Sequence, residues 1–305
     1  MHAFHRTELL LGQEGYARLE GASIAVIGLG GVGSHAAEAL ARSGVGHLTL
    51  VDFDAVCLTN LNRQVHALRS TVGEKKADLM AARCKDIHPK LDVRGLATFY
   101  GPDTRDEIFD RPYDAVLDCI DHMATKLHLL QTCVERGIPV WSAMGAGGRM
   151  DPTRVRVTDI EDTNTDPFAR IVRKNLREAG IERGIRAVWS DEPPNDVDEE
   201  VEAAFKCICP DKAGTPYSCD RRFQVQGTVA WMPPVFGLVM AAAVVGALAQ
   251  RKTVSDPAPA PLLAPHKSVP SRQKPSAERR RELMEMASLL QPVARADLDA
   301  PPSDG

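Results

Sequence analysis

A short apolar run, Ser23-Ile-Ala-Val-Ile-Gly28, leads directly into Gly28-Leu-Gly30-Gly31-Val-Gly33, and a second run, His47-Leu-Thr-Leu-Val51, ends on Asp52. Runs of this length, rich in β-branched residues, suit buried parallel strands. Ser34 opens a helix that reaches about Arg42. Strand, glycine turn, helix and strand within about 30 residues make one βαβ unit. The glycines let backbone come close to phosphate, and the helix N-terminus favours negative charge. Asp52, closing the second strand, is placed to take ribose hydroxyls. Taken alone, this pattern leaves NAD, FAD, ATP and a plain tight turn open, and the chain has no Walker motif of the GxxxxGK[ST] type.

The alternation continues. Phe4 to Leu19 has helical spacing. Helices are expected over Lys75 to Ile87, Lys126 to Arg136 and Pro167 to Ala179, and strands over Val93 to Thr98, Tyr113 to Asp118, Ile138 to Ser142 and Arg154 to Val157. Elements of these lengths in this order argue for an α/β fold, a Rossmann-like, doubly wound, mainly parallel sheet covered on both faces. The pattern loosens from Asp159. Asp191 to Glu202 reads as an acidic, proline-interrupted loop and Cys207 to Gln226 as irregular. Gly227 to Trp231 restores regular structure and leads to a helix from Val235 to Ala249. Six prolines between positions 257 and 275 mark a linker, and Ser276 to Leu290 has the pattern of a short terminal helix. The expected division is a nucleotide-binding domain over 1–160, a substrate and crossover region over 161–252 that completes it, and a flexible tail over 253–305.

Composition narrows the setting. With 305 residues, 44% hydrophobic and 26% charged, the chain suits one large α/β domain or one and a half. A formal net charge of -4 means that a polyanionic partner needs a local basic patch. Arg170, Arg173, Lys174 and Arg177 provide one, because their spacing puts all four on one helix face. The other reading of that face is a solvated one paired with the acidic loop. Seven cysteines make no disulfide framework, and the N-terminus carries no signal-peptide pattern. The expectation is a reducing cytoplasm and no membrane contact.

The segment after the second strand separates the nucleotides. Asp54, Asn60, Asn62, Arg63 and Gln64 follow Asp52, and Lys76 opens the next helix. A dehydrogenase has no need of an arginine and then a lysine there. Together they suit a triphosphate and charge developing at its α-phosphate. Asp118 and Asp121 arrive at the carboxyl end of the next strand, where open α/β sheets bind ligands. A carboxylate beside phosphates suggests Mg2+, although Asp118 equally suits a cap on the following turn.

Gly28-Leu-Gly-Gly-Val-Gly-Ser34, Val51-Asp-Phe-Asp54, Asn60-Leu-Asn-Arg-Gln64, Lys76 and Asp118-x-x-Asp121 resemble the ubiquitin-activating and thiamine/molybdopterin adenylyltransferase superfamily. Within it, several stretches resemble the tRNA threonylcarbamoyladenosine dehydratases. They are Arg6-Thr-Glu-Leu-Leu-x-Gly12, Asn62-Arg-Gln-x-His66-Ala-Leu68, Met144-Gly-Ala-Gly-Gly148, Asp151-Pro-Thr-Arg-Val-x-Val-Thr-Asp159 and Gly227-Thr-Val-Ala-Trp-Met-Pro-Pro-x-Phe-Gly237. The resemblance implies adenylation by ATP of the threonyl carboxylate of a modified tRNA adenosine, followed by ring closure and loss of AMP. It implies that Asp52 binds ribose, that Asn60, Arg63 and Lys76 bind phosphates, and that Asp121 binds Mg2+. It further implies that Arg6 enters the ATP site of a partner subunit, hence a homodimer. A ubiquitin-like or sulfur-carrier protein is the alternative substrate, and a sulfur-transfer protein is left open as a further partner. Many relatives carry paired CxxC zinc knuckles. Here Cys207 and Cys209 stand as CxC with a lone Cys219, which does not support a four-cysteine site. Cys219 falls where protein-activating relatives hold a thioester cysteine, beside the simpler reading of an inert loop thiol.

Overall fold

The computed structural model describes residues 2–204 and 227–249. Residues 2–195 and 227–249 form one unit, and 196–204 belong to a second. Cys207, Cys209, Cys219 and the tail over 253–305 lie outside the described residues.

The first unit is built on a seven-stranded sheet. Its strands are β1 (Ser23–Ile27), β2 (His47–Val51), β3 (Asp92–Leu96), β4 (Ala115–Asp118), β5 (Val140–Ala143), β6 (Val155–Asp159) and β7 (Arg186–Ser190). Their order across the sheet is β3-β2-β1-β4-β5-β7-β6. All neighbours pair in parallel except β6, which runs antiparallel to β7 at the edge. This is the expected α/β class with a mainly parallel sheet. The strand Arg186–Ser190 has no counterpart in the sequence reading. It is buried along four of its five residues between β5 and β6.

Among the described residues seven helices accompany the sheet: α1 (His5–Gly21), α2 (Gly33–Arg42), α3 (Lys76–Ile87), α4 (Arg105–Ile108), α5 (Met123–Glu135), α6 (Pro167–Glu178) and α8 (Met232–Leu248). Side chains alternate across β1. Ile24 and Val26 join a core with α2, α3 and α8, while Ala25 and Ile27 face a second core with α5 and α6. Period-two alternation with apolar residues on both faces is what a doubly covered sheet requires. In the second unit α7 (Glu199–Ala204) replaces part of the expected loop. Asp198 Oδ1 accepts from the N–H groups of Glu200 and Val201, which caps that helix.

Two details place the site. Helix α8 begins at Met232 rather than at Val235. Its prolines occupy the first turn, where the missing N–H costs nothing. A Cβ on Gly237 would fall 2.3 Å from the Val32 carbonyl oxygen, so this glycine lets α8 lie directly against α2. None of the described helices is long and apolar enough to cross a membrane.

Candidate active site

The register aligns three strand ends. Ile27 pairs with Val51 on one side and with Asp118 on the other. Gly28, Asp52 and Cys119 therefore leave the sheet at one level, where the chain's direction across the sheet reverses between β1 and β4. That point is a crevice by construction. Gly28 has φ +91, and a Cβ there would sit 2.8 Å from the Cys119 carbonyl oxygen. A Cβ on Gly33 would strike the Gly28 carbonyl oxygen at 1.8 Å, and one on Gly31 would lie 2.8 Å from Pro233 Cβ and 3.2 Å from Arg63 Cγ. Gly30 is open by comparison: the nearest atom to a Cβ there is Gln64 Nε2 at 3.9 Å. The turn is packed from below and bare above.

Asp52 braces this turn. Its Oδ2 accepts from Leu29 N at 2.6 Å and its Oδ1 from Asp54 N at 2.8 Å. Asp54 in turn holds Lys76 Nζ at 2.8 Å, and the lysine side chain is 6% exposed. Burial alone would lower the Lys76 pKa. The carboxylates of Asp52 and Asp54 outweigh it, with a smaller pull from Asp121, and hold the ammonium above the ordinary lysine range. Lys76 is thus a fixed cation at the start of α3.

The segment between them is a tight 3-10 turn. Asn60 is buried, and its Oδ1 accepts from Cys57 N at 3.0 Å. Asn60 is thereby a brace for the turn. Asn62 donates to the Thr228 carbonyl at 3.0 Å, and Arg63 Nη1 donates to Thr59 O and Asn62 Oδ1. Gln64 is buried with its Oε1 lacking a hydrogen-bond partner, while its Nε2 is the atom nearest to where a Gly30 Cβ would stand. Nearby His66 is also buried, with neither ring nitrogen hydrogen-bonded.

Asp118 departs from the ligand-binding role expected of it. It is fully buried. Its Oδ2 accepts from Lys126 Nζ at 2.5 Å and from Ser142 Oγ at 2.5 Å, and its Oδ1 from Ile120 N at 3.1 Å. Lys126 Nζ also donates to Ser142 Oγ and to the Ala143 carbonyl. Asp118 is therefore a sealed post under the crevice. Of the two acidic residues at this strand exit, Asp121 is the one exposed to solvent. The sequence reading treats Lys126 only as the start of a helix. The available signal is a lysine eight residues beyond a buried strand-end aspartate and next to the apolar Leu127, Leu129 and Leu130.

Arg6 is not gathered into this crevice. It is exposed on the first turn of α1. Phe4, two residues earlier, packs edge-on against His88 at the far end of α3. Lys76 is at the near end, so α3's twelve residues span about 18 Å between them. On α6, Arg177 bonds Glu161, Lys174 lies 3.8 Å from Glu178, and Arg173 donates to the Thr163 carbonyl.

The chain that carries this glycine turn, Lys76 and Asp121 is similar to known proteins over most of its length. A ThiF family model matches residues 4–282. The chain belongs to the ThiF family. Within this family it is 46% identical over 252 residues to the tRNA threonylcarbamoyladenosine dehydratase of Bacillus subtilis, covering 80% of this chain and 94% of that one. The Escherichia coli protein of the same description is 44% identical over 174 residues, covering 57% of this chain and 65% of that protein. The crystal structure of E. coli tRNA N6-threonylcarbamoyladenosine dehydratase in complex with ATP superposes with a TM-score of 0.68 at 33% identity, covering 81% of this chain and 93% of that one. The ThiF family assignment agrees with the superfamily resemblance carried by the motifs.

Proposed function

We propose that this chain is an ATP-dependent tRNA threonylcarbamoyladenosine dehydratase. The observation that carries the reading is the convergence of the bare Gly30 backbone, the Lys76 cation and the Asp121 carboxylate on one crevice. It occurs in a chain that aligns with nearly the whole length of a dehydratase. A threonyl carboxylate oxygen attacks the α-phosphorus of ATP, and pyrophosphate leaves. Adenylation turns oxide, a poor leaving group, into AMP. A nucleophilic atom of the carbamoyl group then attacks the activated carbonyl, the group gives up one N–H proton, and the ring closes as AMP departs. Ring closure is intramolecular, so proximity supplies much of its rate.

In this reading the backbone about Gly30 receives phosphate, with Arg63 and Lys76 stabilising charge at the α-phosphate. Asp52 orients the turn and faces ribose. Asp121 offers the hard oxygen ligand that Mg2+ takes together with phosphates and water, and the ion supplies charge neutralisation when bound. Arg6 is exposed, and Leu9 and Leu10 near it are 73% and 74% exposed. That combination fits a homodimer in which Arg6 completes the partner's site. A tRNA substrate fits a cytoplasmic protein.

The test is incubation with ATP and threonylcarbamoyladenosine-modified tRNA, followed by nucleoside analysis and AMP release. AMP formed in step with a product lighter by one water supports the reading. AMP formed only with a carrier protein ending in Gly-Gly overturns it in favour of the carrier-activating alternative.

A further inference from the structure

We infer that His2, His5 and Glu8 form a binding site for a transition-metal ion of the zinc class. The three lie in and just before the first turn of α1, and their ligand atoms all fall within 4.8 Å of one another. Glu8 Oε2 is 3.0 Å from His2 Nε2 and 3.3 Å from His5 Nδ1. Adjacent donors about a tetrahedral zinc ion, with bonds of about 2.0–2.2 Å, stand about 3.4 Å apart. The side chains are therefore already gathered at close to the spacing such an ion imposes, and little conformational entropy remains to be lost on binding.

The chemistry of the donors agrees. Two imidazoles and one carboxylate suit zinc and leave a fourth position for water. His5 and Glu8 are three residues apart on one helix face, which fixes two of the ligands by backbone geometry alone. His2 is 43% and His5 39% exposed in their side chains, which lets an ion enter. Phe4 N donates to His2 Nδ1, so the ring proton sits on Nε2 in the metal-free state. An ion at Nε2 moves that proton to Nδ1, and the exposed hydrogen bond from Phe4 N is given up. The site brackets Arg6, so an ion there staples the turn that carries it. The inference holds whether or not the dehydratase reading does, since neither imidazole nor Glu8 belongs to the nucleotide crevice.

The experiment uses the full chain. Zn2+ is titrated in competition with a chromophoric chelator, and Co2+ serves as the spectroscopic probe. The expected result is one ion per chain, with His2→Ala and His5→Ala each weakening binding by about 100-fold or more, as loss of one of three ligands demands. Co2+ should give weak ligand-field bands without an intense thiolate charge-transfer band. A triple Cys207→Ser, Cys209→Ser, Cys219→Ser variant should keep the ion. Unchanged affinity in a His5→Ala, Glu8→Gln variant, a thiolate band, or loss of the ion in the cysteine variant would each overturn the site. Melting curves in chelator should coincide for all the variants, which separates lost ligation from lost folding.

Discussion

Lys126 sets its ammonium 2.5 Å from Asp118 Oδ2, with both side chains fully out of water. Lys126→Met strands the carboxylate in the core, and an unpaired buried charge costs about 3–5 kcal/mol. Adding Asp118→Asn removes that charge while keeping an acceptor for Ile120 N, so the double variant should regain most of the loss. Urea unfolding measures both. A single variant within about 1 kcal/mol of the parent would contradict the account.

Lys76→Ala and Arg63→Ala should each slow AMP release by more than about 100-fold through lost charge stabilisation at phosphate. Both are set at element ends, so circular dichroism should remain native. Near-normal turnover in both would remove them from the site.

Arg6→Ala should be inactive, and mixing it with inactive Lys76→Ala should restore part of the activity. A mixed dimer has one intact composite site if Arg6 serves the other subunit. Phe4, two residues before Arg6, packs at the end of α3 opposite Lys76, which is why the partner's crevice is the site tested. Stable mixed dimers with no recovery would end the shared-site model.

Burial, aided by the Lys76 charge, brings the His66 pKa down to about 3. The unfolded chain takes up this proton near about 6.5, whereas the native state does not until far lower pH. Stability therefore falls as pH falls through that window, by up to about 1.4 kcal/mol per unit. His66→Leu should flatten the slope between pH 6.5 and 5, where carboxylates contribute little. Parallel melting-temperature profiles for parent and variant would disprove this.

On α6, Arg170 and Lys174 are exposed, whereas Arg173 and Arg177 are engaged with Thr163 and Glu161. Reversing Arg170 and Lys174 to Glu should weaken tRNA binding and flatten its salt dependence, because fewer counterions are released. ATP affinity should hold. An unchanged salt slope removes this face from the tRNA surface.

How far the sequence is legible depends on how local the cause is. The turn from Gly28 to Gly33 is legible because glycine spacing and the flanking apolar runs act over a few residues. The strand Arg186–Ser190 is not. Its identity comes from being sandwiched between β5 and β6, and five residues after a basic helix carry no period of their own. The part played by Asp118 is hidden for a similar reason, since it depends on a lysine buried from the next helix, against the usual expectation for a lysine. The start of α8 is misjudged because two prolines look like a break and are in fact a first turn. Asn60 is legible as a position but not as a brace, because its hydrogen bond to Cys57 N emerges only from the folded turn.

The close approach of Pro233 to Gly31 also bears on how the protein is made. The glycine turn leaves the ribosome early, and the helix that closes behind it comes far later in the chain. At about 5–20 residues per second the gap is on the order of tens of seconds. During it the stretch of α2 at Val32 and Ala36, against which Gly237 packs in the finished fold, lacks its covering helix. The nascent domain is therefore an unfinished, sticky half-sandwich suited to a chaperone before it is suited to a nucleotide.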